Sequence, residues 1–121
     1  MARLHLRIDF GAAGRIGPGK VALLERVTEV GSISAAARTF DMSYRRAWLL
    51  IDAMNRTFAQ PVVATVKGGH AHGGATLTPF GLELIKRYRR MEATAATAMA
   101  EDVQALEAAL ASTVAGSTAV D

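Results

Sequence analysis

The chain has 121 residues and a mass of 12.8 kDa, which suffices for one small domain with a single hydrophobic core. It contains no cysteine, so disulfides, thiolate metal sites and thiol nucleophiles are excluded together. The formal net charge of +3 conceals an uneven distribution: residues 1–90 carry all 14 Lys and Arg, whereas residues 91–121 carry acids and no base. A basic body favours an anionic partner, although a solvated basic surface without a partner has the same composition.

The first ten residues lack the apolar core of a secretion signal, and no later stretch approaches about 18 uninterrupted apolar residues. We therefore expect a cytoplasmic protein without membrane contact. Residues 3–10 alternate strictly between apolar and polar side chains, and this alternation predicts a half-buried strand. His5 belongs to the polar side, where we expect a solvated side chain rather than a ligand.

Residues 14–20, GRIGPGK, match the first seven positions of a phosphate-binding P-loop. The eighth position is Val21, which has no hydroxyl for a magnesium ion, and Pro18 removes an amide that such a loop would use. The segment therefore predicts an ordinary helix that begins at Pro18 and ends at Gly31. The side chains expected on its buried stripe are those of Val21, Leu24, Val27 and Thr28.

Residues 31–58 predict a helix-turn-helix. Ser32 or Ser34 caps a short Ala-rich helix, Asp41 lies in the turn, and Ser43 caps the second helix. Small residues at the crossing permit close packing, and the second helix carries one apolar face. The residues expected on that face are Ala47, Leu50, Ile51, Met54 and Phe58. An ordinary helical hairpin in a core gives the same pattern, so the context must distinguish the two.

Tyr44, Arg45 and Arg46 lie on the exposed first turn of the second helix, where a recognition helix presents groups to the major groove of DNA. Arg45 and Arg46 are the best candidates for base or backbone contacts, because a guanidinium pairs bidentately with guanine. Tyr44 and Ser43 come next. We expect Trp48 to belong to the core rather than to the DNA interface.

Two short β-branched runs, residues 61–67 and 75–78, flank a loop with four glycines and predict a hairpin. Directly after a helix-turn-helix, such a hairpin is a wing that approaches the sugar-phosphate backbone. Lys67 would supply positive charge there, and His70 and His72 could add phosphate contacts when protonated. A metal site at the two histidines is the alternative, but no third ligand lies nearby.

Residues 80–110 predict one long helix, with Thr78 as its cap and Pro79 as its starting signal. Its first part is basic, and its second part is Ala-rich and acidic. About 30 residues span about 45 Å, more than so small a domain can cover, so we expect the far half to pair with a second copy. A lone helix that frays at its end is the alternative. Residues 113–121 predict a disordered tail.

The order of elements, together with five sequence motifs, closely resembles the N-terminal DNA-binding domain of the ModE molybdate-responsive regulators, which is related to the winged domain of LysR-type regulators. The motifs are GSIS (31–34), SYRRAW (43–48), DAMN (52–55), GGHAHGGATLT (68–78) and FGLELI (80–85). The resemblance implies a homodimeric winged-helix regulator whose recognition helix, residues 43–55, enters the major groove of a palindromic operator. Two departures are His70 and His72 in the wing, where Gly or Lys is expected, and Leu49 on a helix face that the family keeps polar.

The sequence therefore predicts a mainly α fold with a small β hairpin (α+β), as a winged helix-turn-helix over residues 1–78, a dimerisation helix over 79–112 and a tail over 113–121. We expect a DNA-binding transcription regulator with no catalysis, cofactor or metal. The expected partners are double-stranded DNA, a second copy and another protein at the C-terminal helix. A docking module without DNA affinity is the rival function. The molybdate-binding domains of full-length ModE regulators follow the long helix and are not carried over. The residues expected to contact DNA are Ser32, Ser34, Ser43, Tyr44, Arg45, Arg46, Lys67, His70 and His72.

Overall fold

The computed structural model describes residues 2–66 and 74–111. This part of the chain forms an α+β fold of the winged-helix type that the sequence predicts. No helix within it is long and apolar enough to cross a membrane. The elements are β1 (Ile8–Asp9), β2 (Arg15–Ile16), α1 (Pro18–Val30), α2 (Ile33–Thr39), α3 (Tyr44–Thr57), β3 (Val63–Val66), β4 (Gly74–Leu77), α4 (Pro79–Ala98) and α5 (Ala100–Ala108).

Most helix ends follow the local signals in the sequence. Pro18 occupies the first position of α1, and Gly31 ends that helix with a left-handed φ of 78°. Side-chain hydroxyls cap the next three helices, each accepting a hydrogen bond from the backbone N–H three residues further on. These caps are Ser32 to Ala35 (3.1 Å), Ser43 to Arg46 (3.0 Å) and Thr78 to Gly81 (2.9 Å).

The core lies between α1, the helix-turn-helix and the first half of α4. Val21, Leu24 and Val27 are buried in α1, as the sequence predicts. The fourth expected member of that stripe is wrong, because Thr28 is exposed and Leu23 is buried in its place. The Thr28 hydroxyl instead donates a hydrogen bond to the Leu24 carbonyl within the helix. The buried face of α1 therefore lies closer to Leu23, and farther from Thr28, than the sequence predicts.

The predicted strand over residues 3–10 is wrong in extent. Only Ile8–Asp9 pairs with a neighbouring strand, antiparallel to Arg15–Ile16. The preceding residues lie against the last two helices instead: the Leu6 carbonyl accepts a hydrogen bond from the Tyr88 hydroxyl (2.5 Å). Ala2 and Leu4 line a shallow hollow with residues of α4 and α5. The side-chain alternation is partly kept, since Leu6 and Ile8 are half-buried while His5 is exposed.

The C-terminal helix is interrupted once, so a single helix over residues 80–110 is also wrong. Met99 has φ −104° and ψ 4°, and it separates α4 from α5. Hydrogen bonds continue on both sides, from the Met99 N–H to the Ala95 carbonyl (2.9 Å) and from the Val103 N–H to the Met99 carbonyl (3.0 Å). No proline or glycine marks the position. The predicted tail, residues 113–121, lies outside the described residues.

Polar contacts fix α4 on α1. The Arg89 guanidinium donates to both carboxylate oxygens of Glu25 (2.9 and 2.7 Å) and to Glu92 (2.7 Å). These hydrogen bonds, first from Glu25 and then from Glu92, raise the pKa of Arg89 above its ordinary value. Burial, and then the nearby charge of Glu92, raises the pKa of the Tyr88 hydroxyl. Arg89 belongs to the basic first part of this helix in the sequence, but its charge is paired within the protein, where it holds α4 against α1.

The start of α4 packs tightly on the hairpin. A Cβ atom on Gly81 would lie 2.2 Å from the Val62 carbonyl oxygen and 2.6 Å from Leu77 Cδ1, so only glycine fits here. The hairpin itself is formed by β3 and β4, with Val63 opposite Leu77 and Val66 opposite Gly74. It is antiparallel, as predicted, although β3 begins two residues later than expected. Its loop, residues 67–73, lies outside the described residues.

Candidate nucleic-acid interface

The turn between α2 and α3 holds the two helices in a fixed arrangement. Asp41 adopts a left-handed conformation with φ 57°, which Asp tolerates better than most other non-glycine residues. The Met42 N–H then donates to the Ala37 carbonyl (3.0 Å), which also accepts from the Phe40 N–H (3.1 Å), so the end of α2 and the turn are tied together. Ala36 and Ala37 are fully buried, so the small side chains allow the two helices to cross closely.

The outer face of α3 is the side of the helix opposite the residues that are buried in the core. Ala47, Ile51 and Met54 are buried in the core. At about 100° per residue, the side chains opposite them are those of Arg45, Leu49 and Arg56. We call these three residues the outer line of α3.

Arg45 and Arg46 are both exposed at the start of α3, together with Tyr44, which is 54% exposed. Neither arginine has an ion-pair partner among residues 2–66 and 74–111, whereas four other arginines do. The two guanidiniums point in directions about 100° apart around the helix axis. Arg45 is thus central on the face, and Arg46 lies on its flank.

Two large apolar side chains share this region. Trp48 is 42% exposed, so its assignment to the core is wrong. It lies about 40° from Tyr44 around the helix, on the flank opposite Arg46. Leu49, the residue that departs from the family pattern, is 45% exposed. Neither Trp48 nor Leu49 is among the DNA contacts expected from the sequence.

The second half of the outer line is electrically balanced. Arg56 Nε donates to an Asp52 carboxylate oxygen (3.0 Å), a pair spaced four residues apart on the helix. The positive charge without a partner is therefore concentrated at the N-terminal end of α3. This is the end that recognition helices direct at base edges.

The serines play local roles in this geometry. The hydroxyl oxygens of Ser32 and Ser43 accept the capping hydrogen bonds of α2 and α3, which leaves their hydroxyl hydrogens available to an acceptor. Ser34 is half-buried in the first turn of α2. The structure brings Ser43, Tyr44, Arg45 and Arg46 together on four successive positions. Ser32 and Ser34 lie on the neighbouring helix.

Asn55 holds the far end of α3 against the hairpin. Its side-chain oxygen accepts from the Val62 N–H (2.7 Å) and the Val63 N–H (3.3 Å), and its amide donates to the Val63 carbonyl (3.4 Å). Near the other end of the hairpin, the Ala75 N–H donates to the Gly31 carbonyl (3.0 Å). The hairpin is therefore attached both to α3 and to the segment between α1 and α2. Lys67, His70 and His72 lie outside the described residues, so both interpretations of the two histidines stay predictions.

The P-loop-like segment uses its lysine internally. Lys20 Nζ donates to the Arg15 carbonyl (3.0 Å), and Gly17 precedes the first turn of α1. Burial, followed by the charges of Arg15 and Arg7, lowers the pKa of Lys20. The three cations share one hollow at the end of α1 away from Gly31.

The amino-acid sequence is similar to those of molybdenum-related proteins and transcription regulators. No protein-family model matches the sequence. The chain is 51% identical over 79 residues to the molybdenum-pterin-binding protein MopB of Rhodobacter capsulatus, covering 65% of this chain and 29% of that protein. It is 38% identical over 92 residues to the molybdenum transport protein ModE of Azotobacter vinelandii, covering 76% and 33%. It is 38% identical over 71 residues to the DNA-binding transcriptional dual regulator ModE of Escherichia coli K12, covering 59% and 27%.

The matched region thus spans about a third or less of the length of these relatives. Their names describe regulators or molybdenum proteins, and none of the three names an enzyme. Over the matched residues, these similarities support a relationship of this chain to the ModE family.

Proposed function

We propose that this chain is a sequence-specific, DNA-binding transcription regulator that acts in the cytoplasm as a homodimer on a palindromic operator. In this proposal α3 is the recognition helix and enters the major groove. The observation that carries it is the pair of exposed guanidiniums, Arg45 and Arg46, at the start of α3. A cation held on a rigid helix without an internal partner is available to guanine or phosphate acceptors.

The roles of the other residues follow from their positions. Tyr44 and Ser43, on the same turn, reach phosphates or base edges, and Ser32 and Ser34 on α2 position the domain on the backbone. Lys67, with His70 and His72 when protonated, contacts phosphates from the hairpin loop. Lys67→Ala should accordingly weaken binding to all sequences alike.

The homodimer is supported by the apolar surface of the C-terminal helix. Met99, Leu106 and Leu110 are 47%, 70% and 73% exposed, and they continue the stripe with which α4 contacts the core. Ala2 and Leu4 lie beside a neighbouring flank of the helix, so they leave this stripe open. The same helix of a second copy offers a matching stripe, and a symmetric dimer suits a palindromic operator.

The names of the relatives support regulation of transcription and DNA binding for the parent family. The binding of molybdenum-pterin and the transport of molybdenum, which other names mention, are not part of the proposal, because the chain spans only a minor share of those proteins.

The test is selection of bound duplexes from a random pool, followed by measurement of the mass of the complex. We expect an inverted repeat whose half-sites lie about one helical turn, 34–36 Å, apart, bound by two copies of the chain. Enrichment of a single half-site bound by one copy would refute the dimer and leave DNA binding standing. The rival function, a docking module, is favoured by the same exposed leucines, and it requires that no sequence is enriched.

A further inference from the structure

Leu49 is an exposed apolar side chain that lies between Arg45 and Arg56 on the outer face of α3. It is 45% exposed, and it belongs to the outer line of α3 rather than to the core cluster. It lies about 40° from Arg45 and about 20° from Arg56 around the helix axis. Along the axis, Arg45 is about 6 Å away, since each residue rises about 1.5 Å. A surface that contacts the Arg45 guanidinium therefore also lies close to the Leu49 side chain.

The edges of the bases offer few apolar groups. In the major groove, guanine presents two acceptors to a guanidinium, whereas thymine alone among the four bases presents a methyl group, at C5. Successive bases along one strand are separated by about 3.4 Å, so two side chains about 6 Å apart along a helix meet bases within about two steps of each other. A leucine beside an arginine that contacts guanine in the major groove would therefore favour a thymine within about two steps of that guanine, through contact with its methyl group.

The charges around Leu49 permit this contact. The carboxylate of Asp52, which would repel phosphate, is paired with Arg56 at 3.0 Å. Trp48 lies about 60° from Arg45 around the helix axis, on the side of Tyr44, whereas Leu49 lies about 40° from Arg45 and belongs to the outer line. Leu49 is thus the apolar side chain that shares the direction of the central arginine.

We propose that Leu49 contacts the 5-methyl group of a thymine within about two base pairs of the base that Arg45 contacts, and so determines part of the operator sequence. This inference rests on the proposed function, because it requires α3 in the major groove.

The test removes the methyl group and the leucine separately and together. Each thymine of the selected half-site is replaced in turn by deoxyuridine, which lacks only the 5-methyl group. The affinities of the wild type and of Leu49→Ala are then measured by fluorescence anisotropy of labelled duplexes. We expect one position at which deoxyuridine weakens wild-type binding about threefold to fivefold, as for the loss of one buried methyl group. Leu49→Ala should bind both duplexes at that position with equal affinity.

Two further variants make the result specific. Leu49→Met retains an apolar contact and should keep the dependence on the methyl group. Leu82→Ala removes another half-exposed leucine, 49% exposed on α4, and should leave that dependence unchanged. The inference is overturned if no thymine position affects wild-type binding, or if Leu49→Ala keeps the wild-type dependence. A loss of dimer mass in Leu49→Ala would overturn it in favour of a protein contact. If no duplex binds at all, the proposed function fails as well.

Discussion

Replacement of Arg45 by alanine tests the orientation of α3. The side chain is exposed and has no ion-pair partner in the described part of the chain, so its removal leaves no buried carboxylate unpaired. We expect the free energy of unfolding to change by no more than about 0.5 kcal/mol. A bidentate contact to guanine contributes about 1 to 3 kcal/mol to discrimination between bases. The dissociation constant for the operator should therefore rise about 5- to 150-fold.

The assay is fluorescence anisotropy with the selected operator and with an unrelated duplex at one fixed salt concentration. Arg45→Ala should lose affinity mainly for the operator, because Arg45 lies at the centre of the outer face. Arg46→Ala should weaken operator binding by a similar amount, but with a larger share of the loss on the unrelated duplex, since Arg46 lies on the flank of α3, which the proposed docking turns toward phosphates. Arg87→Ala is the matched control: it removes the same charge from an exposed residue on α4, where Glu83 is its partner at 2.7 Å. If Arg45→Ala and Arg46→Ala both bind the operator like the wild type, the assignment of α3 is refuted.

Three further predictions concern the scaffold. Gly81→Ala should lower the free energy of unfolding by about 3 kcal/mol or more in urea titrations, because the new methyl group meets a backbone carbonyl. Gly19→Ala, whose new methyl group meets nothing within 4 Å, should be neutral or stabilising. Equal effects of the two substitutions would contradict the packing of α4 on the hairpin. Tyr88→Phe should cost about 0.5 to 1.5 kcal/mol at pH 7 through the lost hydrogen bond. Since the pKa of Tyr88 is raised above 10.0 in the folded state, the hydroxyl ionises first in the unfolded chain, and the advantage of the wild type should shrink above pH 10; a constant difference would argue against a buried hydroxyl. Leu106→Asp should halve the mass measured by light scattering without loss of helix in circular dichroism, and an unchanged mass would place the dimer contact elsewhere.

The parts of the fold that the sequence predicts correctly are those specified by local chemistry. Pro18 and Gly31 delimit α1, and Ser43 and Thr78 cap the helices that follow them. Each signal acts within a few residues, through a fixed φ or one hydrogen bond to the next turn, and it needs no knowledge of tertiary packing. For the same reason, the left-handed turn at Asp41 is foreseeable.

The errors arise where distant segments decide the outcome. The alternation of residues 3–10 is a strand pattern, but the partner strand β2 ends at Ile16, before Gly17 and Pro18, and the Tyr88 hydroxyl donates to the Leu6 carbonyl. The residue type of Trp48 favours the core, but its position lies on the flank of α3 opposite Arg46, where the side chain is exposed. The interruption at Met99 has no local signal.

The candidate site divides in the same way. That residues 43–46 lie together follows from their adjacency on one turn, so the sequence suffices for that group. The outer line that joins Arg45 to Leu49 depends on which face of α3 is buried. The exposure of Leu49 can therefore be known only from the tertiary structure.

The salt dependence of duplex binding tests the central claim most directly, since the claim is that the exposed cations of α3, together with Lys67, contact phosphates. Each neutralised phosphate adds about −0.9 to the slope of log affinity against log salt concentration. The account predicts that affinity for duplex DNA falls by orders of magnitude between roughly 50 and 200 mM salt. An affinity that does not vary with salt, or no affinity for any duplex at 50 mM, would contradict it.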